Sequence, residues 1–174
     1  MVATGAFVAF DRQALDLTQR FANHWLDVIA SVVTVFGQAE VTAGIAVGLT
    51  VARLRARRRD FWVPLAIALV VVLESLIKIV VAQPLPPRDR SRDLDLLPGL
   101  QVPFAHAFPS GHAARDAFLL LIARGVPAAL VAVALIAVAF SRVYLAQHWP
   151  SDVVGGLLLG AGIAWIAVAA AGRK

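Results

Sequence analysis

The chain has 174 residues, 60% of them hydrophobic, and a mean hydropathy of +0.78. A soluble domain carries roughly 45 to 50% apolar residues, so a single membrane domain over residues 1–174 is expected. The formal charge of +5 does not point to nucleic acid, because the basic residues sit in short stretches flanking apolar runs, as membrane orientation requires. The lack of cysteine excludes a disulfide framework and thiolate chemistry, and with only four histidines it argues against structural zinc.

Up to about Phe10 the chain is apolar but too short to span. Asp11 and Arg12 follow with no basic stretch ahead of them, so no cleavable signal peptide is expected. Arg12 to Arg20 reads as an amphipathic lead-in lying on the surface. With roughly 20 apolar residues needed per crossing, six crossings are expected. The first runs from about Leu17 to Phe36, with Arg20, Asn23 and Asp27 on a polar face. The second, from about Glu40 to Leu54, ends among Arg53, Arg55, Arg57, Arg58 and Arg59, and the third runs from about Phe61 to Ala82.

From Gln83 to Phe108 the apolar signal stops. Pro84, Pro86, Pro87, Pro98 and Pro103 punctuate this stretch, and charges alternate in sign from Arg88 to Asp95. A short fourth segment, from about Gly111 to Ala123, is followed by a turn at Gly125 and Pro127. The fifth runs to about Ala146, and the sixth from about Ser151 to Ala171. The expected fold is therefore all-α, an antiparallel polytopic bundle of about six transmembrane helices. The positive-inside rule places the arginine-rich loop in the cytoplasm. The polar loop between the third and fourth helices is then extracytoplasmic, and both termini, with Arg124, Arg173 and Lys174, are cytoplasmic.

Lys78, Arg88, Ser110, Gly111, His112, Arg142, His148 and Asp152 collect near the outer boundary, from the ends of four helices. Charges in membrane helices are costly and by default mark a functional site. Phe108-Pro109-Ser110-Gly111-His112 leads into an apolar run, so Ser110 reads as an N-cap. Free N–H groups at such a helix start suit a phosphate; an ordinary cap with an interfacial histidine explains the same residues equally well. Pro150 fits a helix's first turn, putting His148 just before that helix and Asp152 one turn into it. A carboxylate on one imidazole nitrogen fixes the tautomer and leaves the other nitrogen's lone pair for attack. Lys78 either supplies positive charge to a phosphate or pairs along the helix with Glu74.

Lys78 near a proline-rich turn, Pro109-Ser110-Gly111-His112, and Ser141-Arg142 with five residues before His148 and three more before Asp152 together resemble the type 2 phosphatidic acid phosphatase superfamily. The likeness covers about Leu73 to Gly160. It implies a metal-independent phosphatase on a six-helix membrane core, with no cofactor and a lipid phosphate as substrate. By carry-over His148 attacks phosphorus, Asp152 orients it and His112 protonates the leaving oxygen, while Lys78, Ser110, Gly111 and Arg142 hold the phosphate. The first motif departs from the family: Leu85-Pro86 stands where Arg-Pro is expected, and Gln83 where a further arginine often lies. Arg88 is the nearest substitute.

Asp116, one turn after His112, either tunes that histidine or pairs with Arg115. His106 reads as a loop residue, Glu40 as a first-turn acid, and Trp25, Trp62 and Trp149 as interfacial anchors. Three functions fit: an outward-facing lipid phosphate phosphatase of the inner (plasma) membrane, a lipid phosphotransferase using the same intermediate, and a degenerate member that binds or transports an anionic lipid. The substrate classes are phosphatidate, phosphatidylglycerol phosphate and polyprenyl phosphate or diphosphate. Sequence sets no oligomeric state.

Overall fold

The computed structural model describes residues 7–97 and 105–172; Pro98 and Pro103 of the polar loop, and Arg173 and Lys174, lie outside them. The described residues form seven α-helices and no strand: α1 (Val8–Gln19), α2 (His24–Val35), α3 (Ala39–Arg55), α4 (Ile67–Val80), α5 (Gly111–Ile122), α6 (Ala128–Tyr144) and α7 (Pro150–Gly172). A 3₁₀ turn, Val63–Ala66, leads straight into α4, and another, Arg88–Arg90, interrupts the polar loop.

Helix α5 is the central element. Nine of its twelve residues are buried, and Ala114, Phe118, Leu119 and Ile122 form the main core with Val63, Ile67, Val70, Ile163 and Ala164. It packs most extensively on α7, and two glycines set how closely. A Cβ at Gly156 would strike the Ser110 carbonyl, and one at Gly160 the Ala114 carbonyl. Small residues four apart bring helix backbones together where lipid offers no hydrophobic drive. At the top of this contact the Ser110 N–H donates to the Asp152 carbonyl at 2.9 Å, tying the start of α5 to the start of α7.

The two ends of the bundle carry different polar clusters. At one end Arg53, in the last turn of α3, donates to the Ile122 carbonyl at 2.8 Å and so caps α5. Asp60 there meets Arg53 at 3.4 Å, Arg58 at 2.9 Å and Arg124 at 3.3 Å. At the other end α4 and α6 finish while α5 and α7 begin.

The N-terminal region departs from expectation. The stretch from Leu17 to Phe36 is not one crossing helix but two short ones, and both stay at the α7-start end. In α1 the Asp11 carboxylate accepts from the Ser151 N–H at 3.0 Å and its hydroxyl at 2.7 Å, and Leu15 packs on Ala113, Val143, Ala146 and Val153. In α2, Asp27 takes two bonds from Arg92, at 2.7 and 2.9 Å, and one from the Tyr144 hydroxyl at 2.6 Å, and Thr34 accepts from Arg142. The cause is polar: Arg20 to Asn23 breaks the helix, the Asn23 side chain caps α2 by accepting from the Leu26 N–H, and Asp27 needs partners that only this end supplies. The described N-terminal segment therefore lies at the opposite end from the last turn of α7, against the expectation that both termini share one face.

Of the six expected crossings, helix length and hydropathy support two or three among the described residues. Val63–Val80 and Pro150–Gly172 are long and apolar enough to span, and α2 with α3, bent by 47°, qualifies as a third only if taken as one broken span. Helix α6 has 17 residues and α5 only 12, about 18 Å, because α5 is enclosed by protein on nearly every side and has no lipid to cross by itself.

Candidate active site

The end of the bundle where α4 and α6 stop gathers Lys78, Ser110, Gly111, His112, Arg142, His148 and Asp152. Local sequence explains each placement. Lys78 is in the last turn of α4, Ser110 occupies the cap position of α5, Arg142 is in the last turn of α6, and the turn 145–149 delivers His148 ahead of Pro150. The polar loop is held over this end by Arg90, which donates to Asp16 at 2.7 Å and Gln19 at 2.9 Å, and by Arg92 on Asp27.

Ser110 takes the cap position without making a side-chain cap bond; its buried hydroxyl has no hydrogen-bond partner. Lys78 is buried, and its ammonium donates to the carbonyls of Ala107 at 3.2 Å and Pro109 at 2.8 Å while lying 3.8 Å from Glu74. The pairing with Glu74 is present, and the ammonium points at the loop entering α5. Gly111 has no room for a side chain, because a Cβ there would strike the Glu74 carboxylate.

His148 Nδ1 lies 3.6 Å from Asp152 Oδ2, beyond hydrogen-bond length. That oxygen accepts the Trp149 N–H at 2.8 Å, so Asp152 holds the turn that carries His148 and faces the imidazole without bonding to it. Burial, then the charges of Arg142 and Lys78, push the His148 pKa well below its usual value of 6.5, opposed in part by the Ala107 carbonyl. The imidazole is therefore neutral at pH 7, the form with a lone pair.

Several residues at this site were not singled out in the sequence. Thr34 anchors the Arg142 guanidinium, Asp11 holds the first turn of α7, and Gly37, in the break between α2 and α3, accepts from Arg115 Nε at 3.2 Å and NH2 at 3.0 Å. Arg115 also donates to Glu74 at 2.9 Å, so Glu74 bridges Lys78 and Arg115. These contacts join residues 41 to 140 positions apart, and no local pattern announces them. Arg88 and Leu85 are exposed, while Gln83 is buried and donates to Ser151 at 3.4 Å. His106 Nδ1 donates to the Lys78 carbonyl, 2.8 Å away.

Among the described residues six buried side-chain nitrogen or oxygen atoms lack a hydrogen-bond partner. Five belong to Ser110, Asp116, Arg142, His148 and Asp152, and the sixth to Gln38 beside Gly37. Buried polar groups are nearly always satisfied; of these six atoms, Ser110 Oγ and Arg142 Nε are donors able to take anionic oxygens from outside the chain.

The fold is shared with two solved membrane proteins. A PAP2-type phosphatidylglycerolphosphate phosphatase from Bacillus subtilis superposes with a TM-score of 0.80 at 19% identity, covering 99% of this chain and 91% of that one. LpxE from Aquifex aeolicus superposes with a TM-score of 0.70 at 23% identity, over 90% and 93%. No curated protein matches by sequence. The profile of the PAP2 superfamily matches residues 59–174, which takes in every motif residue from Lys78 to Asp152, and the chain belongs to that superfamily.

Proposed function

We propose that the protein is an integral-membrane lipid phosphate phosphatase that works through a phosphohistidine, with His148 as nucleophile. The observation that carries this reading is the pair of buried donors without a partner, Ser110 Oγ and Arg142 Nε, at the bundle end that also holds His148 and Asp152. A phosphoryl group offers oxygens to the Ser110 hydroxyl, the Arg142 Nε and the N–H groups opening α5. Lys78 adds positive charge beside them, and Arg88 stands on the polar loop as a further cation for the headgroup. Such fixed charges stabilise a phosphoryl transition state without help from a resident metal.

In the first step the His148 nitrogen turned away from Asp152 attacks phosphorus. The bond to the lipid oxygen breaks, and His112 gives that oxygen a proton. In the second, water loses a proton to His112 and attacks phosphorus, the P–N bond breaks, and inorganic phosphate leaves. Splitting the displacement lowers each barrier. Asp152 compensates the positive charge on His148 and keeps its ring facing the phosphate. The substrate is a phosphatidate, a phosphatidylglycerol phosphate or a polyprenyl phosphate or diphosphate, with its tail against the apolar helix faces.

The arginine-rich link at residues 53–59 orients the bundle with that end in the cytoplasm, so the site opens outward from the plasma membrane. On this topology α1 and α2 lie at the outer face and the C-terminal end of α7 is cytoplasmic.

The test is phosphate release by detergent-purified protein from a panel of these lipids, with and without a chelator. Wild-type activity that survives the chelator and is lost in His148→Ala is expected. Undiminished release by His148→Ala rejects the mechanism, and loss of wild-type activity on chelation rejects metal independence.

A further inference from the structure

Two histidines of the site are each followed four residues later by an aspartate: His148 by Asp152, and His112 by Asp116. Residues four apart lie on one helix face. Building on the phosphatase reading above, we propose that Asp116 is the positioning carboxylate of His112, so that the site contains two His–Asp pairs, one serving the nucleophile and one the proton donor.

Three observations support this. Asp116 is buried and its Oδ2 has no hydrogen-bond partner. Its neighbour Arg115, the obvious cation to neutralise it, is turned to the Glu74 carboxylate and the Gly37 carbonyl. Finally, Asp116 Oδ2 and His112 Cδ2 lie 2.6 and 2.9 Å from the point where a Gly37 Cβ would sit, so the two atoms are no further apart than the sum of those distances. The glycine at the α2–α3 break thus closes over both side chains at once, and any larger residue there would displace them.

The surrounding charge gives the pair its purpose. His112 feels Arg142 from α6, Arg115 from α5, Lys78 from α4 and His148 from the turn before α7. Glu74 on α4 is shared between Lys78 and Arg115, and Asp152 on α7 faces His148; at the break between α2 and α3 the Gly37 carbonyl accepts from Arg115. A donor that must arrive protonated amid these cations needs an anion of its own, and Asp116 is the carboxylate left for it. When the P–O bond breaks, the His112 proton passes to the lipid oxygen and the imidazole is left neutral. Water returns that proton in the second step.

The test exploits the leaving group. An alkyl oxygen needs the proton, whereas p-nitrophenolate departs without it. First-turnover release of diacylglycerol from dioleoyl phosphatidate and of p-nitrophenolate from p-nitrophenyl phosphate, which precedes the use of His112 as base in the second step, is measured on the same preparations of wild type, Asp116→Asn, Asp116→Glu, His112→Asn and the double variant, so that any folding loss cancels in the ratio. Asp116→Asn is expected to lose on the order of 10- to 100-fold on phosphatidate, part of a general acid's usual contribution, and less than about threefold on the nitrophenyl ester. Asp116→Glu should recover most of the loss, and the double variant should be no slower than His112→Asn. Equal losses on both substrates, or none on phosphatidate, overturn the proposal while leaving the phosphatase reading intact. A wild type inactive on both substrates, or a His148→Ala variant active on both, overturns that reading and this inference with it.

Discussion

Replacing Gly160 with alanine tests whether the close approach of α5 and α7 builds the site. The added methyl would overlap the Ala114 carbonyl oxygen and lie 2.9 Å from its carbon and 3.0 Å from the Ala117 Cβ. Neither helix backbone can yield locally, so α7 must move outward by on the order of an ångström to restore contact. Overpacking of this kind costs about 1 to 3 kcal/mol, which in a chain of this size lowers Tm by roughly 2 to 12 °C. The displacement reaches the first turn of α7, where Asp152 and the turn bearing His148 begin, and an error of about 1 Å in reacting geometry costs on the order of 100-fold in rate. Gly162→Ala is the matched control, because nothing lies within 4 Å of a Cβ there and the alanine should gain about 0.5 to 1 kcal/mol in helix stability. Thermal unfolding in detergent and p-nitrophenyl phosphate turnover would be measured for both. Equal Tm and full turnover in the two variants would refute the argument.

Asp60→Asn removes the one carboxylate shared by Arg53, Arg58 and Arg124; because Arg53 is nearly buried, the loss should be about 3 kcal/mol, measured by thermal unfolding. The hydrogen bond from Arg58, with the charges of Arg53 and Arg124, holds the Asp60 pKa below its ordinary 3.8. Its stabilisation is thus complete above pH 3.8 and falls away as acid titrates the folded protein below that value, a slope that Asp60→Asn should flatten. Arg92→Ala breaks the two-pronged bond to Asp27 and should cost about 1.5 to 3 kcal/mol; faster proteolysis of the polar loop at Arg88 to Arg92 is the readout, with cleavage at the wild-type rate counting against it. His148, with its pKa lowered, stays unprotonated when folded while the unfolded chain takes up a proton below pH 6.5. Stability should therefore decline as pH falls below 6.5 and be level above it, and the acidic limb of kcat/KM for p-nitrophenyl phosphate should lie well below pH 6.5. An acidic limb at 6.5 or higher would contradict the buried, cation-facing position of this imidazole.

Much of the site was legible in the chain because its parts are short-range. Ser110 before an apolar run, Pro150 at a helix start, and the spacings from Arg142 to His148 and from His148 to Asp152 are set within a turn or two of helix, where sequence spacing is spatial spacing. Hydropathy likewise marked the stretches of α3, α4, α6 and α7. It misjudged Leu17 to Phe36, since an apolar run reports affinity for lipid or protein but not which of them it meets. Asn23 and Asp27 were visible as polar residues; that Asp27 would be satisfied by Arg92 and Tyr144, from a loop and a helix far along the chain, was not.

The chain alone thus determined the helical class, the order of the motifs and the residue types at the helix ends, because these follow from composition and local geometry. Tertiary structure decided which end α1 and α2 occupy, that Asp152 braces the turn at Trp149 instead of bonding His148, and that Arg115 goes to Glu74 and leaves Asp116 beside His112. The physical reason is that a buried charge takes whichever partner packing brings within about 3 Å. That choice depends on how α4, α5 and the α2–α3 break pack together in space, which no local pattern around Arg115 or Asp116 encodes.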